Sequence, residues 1–348
     1  MTPVAETTLP EFKKPSRRFY SAMAVLVLLL ALVILAAALL GSERLPFFDT
    51  LCALFSGGSC GLTAQESAIL FDIRLPRVFL AVAVGAALAV SGASYQSLLR
   101  NPLAEPYLLG VSNGAAIGTM FALVFFTSLA FSRPLMAFGG AMLATFAVYS
   151  IARGGRNGAG MSVERLALAG VIVTTFLSSA IVLVTSLLDA TKLRTFTFWL
   201  LGDLSAASKD SLLITLPTVI AGTIILAMLA RALNLLQLGE RDAFDFGVEV
   251  QRTRLLVFVT AGALVGTSVA ASGSVGYVGL VVPHLVRLSL GSDNRLVIPA
   301  SAFAGAIFVT LADTVARTAI APRELPVGAI TALIGAPLFI YLLKKQAA

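Results

Sequence analysis

Charge is scarce in this chain. Of 348 residues only 12% are Asp, Glu, Lys or Arg, whereas 58% are hydrophobic and the mean hydropathy is +0.93. Soluble domains carry about 25% charged and about 45–50% apolar residues, so a water-soluble globule is excluded. Histidine is nearly absent: His284 is the only one, whereas a metal centre needs several convergent His, Cys or carboxylate ligands. No metal site and no catalytic residue is therefore expected, and a triad-type intramembrane hydrolase is disfavoured on the same ground. His284 reads instead as a hydrogen-bonded member of a helix bundle. None of the six lysines follows a glycine. The Gly-Lys-Ser/Thr loop that cradles nucleotide phosphates is thus missing; the chain cannot be a P-loop ATPase alone, and ATP-driven work would require a partner. Cysteine is limited to Cys52 and Cys60, whose spacing permits a disulfide in an oxidising compartment and equally permits two free thiols.

What is present is apolar sequence in long blocks. A membrane-crossing helix takes about 20 apolar residues, and such blocks occupy 19–41, 77–99, 108–127, 134–151, 166–188, 212–229, 255–271, 278–290, 297–314 and 327–343. The expected organisation is an all-α polytopic membrane protein of about ten transmembrane helices, with a cytoplasmic tail at 1–18 and a membrane domain at 19–345. The first block is longer than the apolar stretch of a cleaved secretory signal and reads as a span. Ten spans starting inside place both termini in the cytoplasm. Sixteen of the 25 Lys and Arg residues then fall in inner segments, as the positive-inside rule requires. The net charge of +7 is explained by topology without a nucleic-acid partner.

Helix contacts within lipid favour small residues, supplied here by Gly110, Gly114 and Gly118 and by Gly262 and Gly266. The Gly-rich stretches 154–160 and 272–276 read as turns or breaks between helices. The segment 84–92 echoes 261–273 across spans of opposite direction, the signature of an inverted repeat. Ionisable groups inside spans are costly and find partners; Asp313 and Arg317, four apart, are expected to pair on one helix face. Arg74 and Arg77 flank Leu75-Pro76 at the outer start of the second span and, with Arg317, read as exposed outer charges for an acidic partner. The inner connection 234–254 mixes charges of both signs with Leu238, Phe244 and Phe246; it is either a solvated loop or a docking surface that a partner covers.

Seven ordered motifs carry a further resemblance: Arg74-Leu-Pro-Arg77, Asn101-Pro-Leu-Ala-Glu-Pro106, Leu109-Gly-Val-Ser-Asn-Gly114, Trp199-Leu-Leu-Gly202, Gly276-Tyr-Val-Gly-Leu-Val-Val-Pro-His284, Leu311-Ala-Asp-Thr-Val-Ala-Arg317 and Glu324-Leu-Pro-Val-Gly328. Together they resemble the FecCD family, permeases of ABC importers for iron-siderophores, haem and vitamin B12. The resemblance implies an ABC type II importer permease fold in the bacterial inner membrane. It further implies a homodimer with a central path, two cytosolic ATPase subunits that hold the ATP and Mg, and an extracytoplasmic substrate-binding protein. By the same resemblance Arg74, Arg77 and Arg317 receive acidic residues of the binding protein, and Asn101 and Leu103 are gate residues. Leu238, Gly239, Glu240, Arg241, Phe244, Phe246 and Gly247 belong to short coupling helices on the ATPase; the two phenylalanines depart from the small-residue-rich family version. An iron-siderophore is the expected cargo, with cobalamin or haem as alternatives. Ala86, Ala87, Ala89, Ser91, Ser94 and Gln96 are expected to line the path. The competing class is a stand-alone secondary transporter, which needs acid, base or histidine relays at the midplane; only Asp313 and Glu105 come near.

Overall fold

In the computed structural model the described residues are 17–56, 58, 60–126, 129, 132–153 and 161–347. Residues 1–16 of the expected tail and the glycine-rich stretch 154–160 lie outside them. The described chain is helical, with an isolated bridge between Ile320 and Arg323 as its only extended pairing. In order the helices are α1 (Arg17–Leu39), α2 (Phe47–Ser56), α3 (Ala64–Ala68), α4 (Leu75–Leu98), α5 (Val111–Phe125), α6 (Ser132–Arg153), α7 (Val163–Thr185), α8 (Ala190–Leu200), α9 (Lys209–Met228), α10 (Ala230–Leu238), α11 (Glu240–Asp245), α12 (Val250–Ser272), α13 (Val278–Leu290), α14 (Asn294–Thr318) and α15 (Val327–Ala347). A π-helical turn, Ile69–Arg74, leads into α4, and a 3₁₀ turn, Pro106–Leu109, precedes α5.

Each of the ten apolar blocks has its helix: α1, α4, α5, α6, α7, α9, α12, α13, α14 and α15. Two are shorter than a span. α5 has 15 residues and α13 has 13, about 22 and 20 Å at 1.5 Å per residue, against a hydrocarbon core of about 30 Å. Both are extended by irregular backbone. Leu109 and Gly110 pack on Gly170, Val173 and Thr174 of α7, so the segment before α5 runs deep into the bundle. Non-helical backbone at such depth is tolerated only where protein encloses it, and here two such segments satisfy each other. The Tyr107 hydroxyl donates to the Val275 carbonyl at 2.8 Å and accepts from the Val275 amide at 2.9 Å. Glu105 Oε1 accepts from the Tyr277 amide at 3.1 Å.

α4 is the axis of the bundle, and almost every residue from Pro76 to Leu98 is buried. It runs antiparallel to α12, with the Ser91 hydroxyl on the Ala261 carbonyl (3.1 Å) and the Tyr95 hydroxyl on the Phe258 carbonyl (3.0 Å); the opposite directions suit the inverted-repeat reading. It meets α13 and α14 backbone to backbone. A Cβ on Gly92 would collide with the Gly279 carbonyl, and one on Gly85 with the Gly305 carbonyl. The path-lining expectation is therefore corrected: Ala87, Ala89, Ser91, Ser94 and Gln96 are fully buried in these contacts and Ala86 is half-buried. Small residues on α4 serve close packing, with polar ones bonded internally, as when Gln96 Nε2 donates to the Leu280 carbonyl at 3.2 Å. His284 is buried on α13 and packs edge-on against Phe339. Cys52, on α2, is joined to Cys60 in a disulfide, which decides between the two open alternatives.

Inserting side-chain volume into a filled contact costs about 1–3 kcal/mol or more. Gly92→Val is expected to lower the midpoint of thermal inactivation in detergent by several degrees, whereas Gly139→Val, on α6 with open space around it, leaves it unchanged.

Candidate functional site

Two polar constellations lie at opposite ends of the bundle. At one end the π-turn brings Arg74 under the C-terminus of α1. Carbonyls in the last turn of a helix lack intrahelical partners, and Arg74 supplies them: its Nη1 donates to the Ala38 and Leu39 carbonyls at 2.9 and 3.1 Å, and its Nη2 to the Glu43 carbonyl at 2.7 Å. A side chain at position 41 would overlap the guanidinium, so Gly41 leaves the space that Arg74 fills.

One turn further, Arg77 bonds Asp313 through Nε (3.0 Å) and Nη2 (2.9 Å) and Glu324 through Nη1 (2.7 Å). The other oxygen of Asp313 is 3.1 Å from Arg317 Nε, and Arg317 Nη2 donates to the Ala37 carbonyl at 3.0 Å. Asp313 thus clamps α4 to its own helix, while Arg317 and Arg74 hold the end of α1. The expected pair Asp313–Arg317 is present. The expectation that Arg74, Arg77 and Arg317 stand exposed is corrected: they are only 4%, 6% and 3% accessible. A guanidinium within a helix bundle must be paired or bonded to carbonyls, and all three find such partners inside the chain. Glu324 is the residue that sequence reasoning left without a role, although it stands in a quoted motif; its side chain is 37% exposed, so this arm of the cluster faces outward.

At the other end, α10 and α11 form two short helices joined at Gly239, and Gly247, at φ +80°, makes the left-handed turn that releases the chain toward α12. Glu240 and Arg241 begin α11. Leu238 and Phe244 are 69% and 71% exposed, and Phe246 is exposed beside them, while Ala243 and Leu236 are buried beneath. Arg254, buried on α12, is ion-paired with Glu240 and donates to the Met161 carbonyl at 2.6 Å, so α11 is tied to the starts of α7 and α12. Asn101 and Leu103 lie on the exposed loop after α4. Asn101 Oδ1 accepts from the Leu103 amide at 2.9 Å in an Asx turn, and the Asn101 amide donates to the Gln96 carbonyl at 3.1 Å.

Among the described residues the arrangement brings no nucleophile and base together. It offers instead a charged crown, an exposed apolar knuckle, and between them helices that meet through close backbone contacts. Among the described residues seven helices are long and apolar enough to cross a membrane, while α5, α13 and the apolar stretch Val327–Leu342 of α15 are shorter. The profile of the FecCD transport family matches residues 28–345. Among curated relatives, the hemin transport system permease protein HmuU of Yersinia pestis is 41% identical over 80% of this chain and 84% of its own length. The cobalamin import system permease protein BtuC of Halobacterium salinarum is 42% identical over 82% and 76%. The iron(3+)-hydroxamate import system permease protein FhuG of Bacillus subtilis is 34% identical over 93% and 96%. Among solved structures, an inward-facing metal-chelate type ABC transporter superposes with a TM-score of 0.81 at 32% identity, covering 94% of this chain and 99% of the other.

Removing one partner of a buried ion pair costs about 3–5 kcal/mol, whereas an exposed pair contributes about 0–1 kcal/mol. Asp313→Ala, which strands two buried guanidiniums, is expected to abolish recovery of folded protein from membranes on size-exclusion chromatography. Glu324→Gln is expected to leave recovery within twofold of the parent.

Proposed function

This chain belongs to the FecCD transport family, and on that premise we propose that two copies form the translocation unit through which a metal chelate enters the cell. As a multi-pass ABC-importer permease the chain breaks no bond. Two cytosolic ATPase subunits, holding ATP and Mg, supply the work, and an extracytoplasmic binding protein delivers the cargo. Both termini lie in the cytoplasm of a bacterial inner membrane, whose lipid contacts the outward faces of helices such as α1.

The observation that carries this reading is the apolar knuckle of Leu238, Phe244 and Phe246. Apolar side chains of this size exposed to water on a charged segment call for a covering protein, and they stand at the end of the bundle that the charge asymmetry assigns to the cytoplasm. Closure of the ATPases on ATP would displace α11, and the helices would then open the loop of Asn101 and Leu103 by rigid-body motion. α7 is a candidate wall of the path: Thr174, Thr175, Ser178 and Ser179 form a polar set at its middle, with Thr175 and Ser179 exposed. A wide path with weak sites is expected, since tight binding inside would slow release. A stand-alone carrier is disfavoured because Asp313 is committed to two arginines and Glu105 to a backbone amide.

The sequence resemblance favours an iron-siderophore, and relatives named for haemin and cobalamin make those the alternatives. Uptake by cells lacking this chain, offered radioiron-loaded siderophores, haemin and radiolabelled cobalamin in parallel, is expected to fall at least tenfold for siderophores alone. Loss of cobalamin or haemin uptake instead would replace the cargo and keep the mechanism.

Docking of the binding protein is proposed at Arg77, where an incoming acid must displace the half-exposed Glu324. Relieving that competition, Glu324→Gln is expected to strengthen binding-protein affinity by up to about fivefold, the equivalent of roughly 1 kcal/mol for an exposed pair. Unchanged or weakened affinity by surface plasmon resonance would place the docking charge elsewhere.

A further inference from the structure

Between the knuckle and the loop of Asn101 lies a polar chain that the docking and gating roles above do not use. Asn234 stands on α10, one turn before Leu238. Its amide bonds the start of α14 twice: Nδ2 donates to Asp293 Oδ1 at 2.7 Å, and Oδ1 accepts from the Asn294 amide at 2.8 Å. The Asn294 side chain, wholly inaccessible, carries the connection inward, its Oδ1 accepting from the Ser97 hydroxyl at 2.6 Å and from Arg287 Nη2 at 3.2 Å. The same Nη2 lies 2.7 Å from Ser97 Oγ and 3.1 Å from the Ala93 carbonyl. Ser97 is in the last turn of α4, one residue after Gln96, from whose carbonyl the Asn101 loop hangs.

Four helix segments therefore converge: the middle of α10, the start of α14, the last turn of α13 through Arg287, and the last turn of α4. α10 also buries Leu233, Leu235 and Leu236 in apolar contacts. Such contacts are non-directional and let a short helix slide. Hydrogen bonds in a buried network fix position and orientation, and breaking one leaves a desolvated group unpaired. Burial works against the charge on Asp293, but hydrogen bonds from Arg295 and Asn234 outweigh it and hold its carboxyl below the ordinary value, so it remains a charged acceptor.

We infer that Asn234, Asn294 and Ser97 are positioning residues that transmit displacement of α10 and α11 to the end of α4, and so to the loop bearing Asn101 and Leu103. The inference rests on the proposed seating of α11 on an ATPase. Displacement of α11 carries α10 with it, since only Gly239 separates them. Asn234 then pulls the start of α14, and the buried pair of Asn294 and Ser97 moves the last turn of α4 in register. Ser97 makes the direct bond from Asn294 to the last turn of α4; without it only the Arg287 bridge through the Ala93 carbonyl still joins the two ends, and the output end follows the input less.

The test uses the full complex with its ATPase in proteoliposomes and needs no cargo. The chain's own cysteines are joined to each other, so Leu103→Cys places one free thiol on the output loop of a parent chain. Its labelling rate with a membrane-impermeant maleimide is measured without nucleotide and with ATP plus vanadate. The parent is expected to change rate at least fivefold on trapping. With Ser97→Ala added the change is expected to fall below twofold while ATP hydrolysis stays within twofold of the parent, and Ser97→Thr, which keeps the hydroxyl, is expected to restore it. Asn234→Ala, read by labelling alone, is expected to behave as Ser97→Ala. A change of twofold or more in Ser97→Ala overturns the inference, as does failure of Ser97→Thr to restore the response. Should Asn234→Ala fail to assemble, the two Ser97 variants decide. If the ATPase does not co-purify with the parent, or Phe244→Asp leaves co-purification intact, the seating of α11 is wrong and the inference falls with it, a result distinct from a response lost only in the Ser97 variant.

Discussion

Backbone amides and carbonyls that enter a bilayer without a partner cost several kcal/mol each, and this constraint organises the chain more than any side-chain contact. Helices meet it automatically. Where this protein departs from helix at depth, in the segments around 105–110 and 273–277, it does so in a matched pair, with Tyr107 and Glu105 supplying the donors and acceptors that the opposite segment lacks. α5 and α13 can be short because these two segments complete each other. The close approach of α4 to α13 at Gly92 and Gly279 brings them together.

Charge is handled by the same logic at both ends. Arg74 and Arg317 bond carbonyls near the end of α1, Arg77 and Arg317 share Asp313, and Arg254 joins Glu240 to the Met161 carbonyl. Each cation sits where a helix terminus or a carboxylate already waits. The few ionisable groups that the chain retains therefore act as fasteners between helices that apolar packing alone would leave free to slide. At the margins, Glu324 and the exposed face of α11 leave charged and apolar groups open to another protein.

Much of this was legible in the sequence because long apolar runs have few alternatives: the tenfold division follows from hydropathy, and the bounds of α13 coincide with its apolar block. The pair Asp313–Arg317 was legible because helical spacing places residues four apart on one face. The second partner of Asp313 was not, since Arg77 lies 236 positions away and no local period connects them. Burial of the arginines was misread for a related reason: an arginine at a span end either reaches outward or caps a neighbouring helix, and only the position of α1 distinguishes the two. The small residues of α4 were read as path lining because smallness signals both a hydrated wall and a close backbone contact. The short helices α10 and α11 came from family resemblance, because a charged stretch with two phenylalanines has no decisive period of its own.

The shortness of α13 bears on how the protein meets membranes of different thickness. A helix ordinarily answers a thicker or thinner bilayer by changing its tilt. α13 cannot do so freely, because the backbone that precedes it is stitched to the segment before α5 and its first turn is pressed against α4 at Gly279. α1, whose apolar side chains are largely exposed along its length, is held more sparsely, by Met23, Leu26 and Val33 against the bundle and by Arg74 and Arg317 at its end. Hydrophobic mismatch therefore falls more readily on peripheral helices such as α1 than on the central segments, whose depth is tied to one another by their backbone bonds.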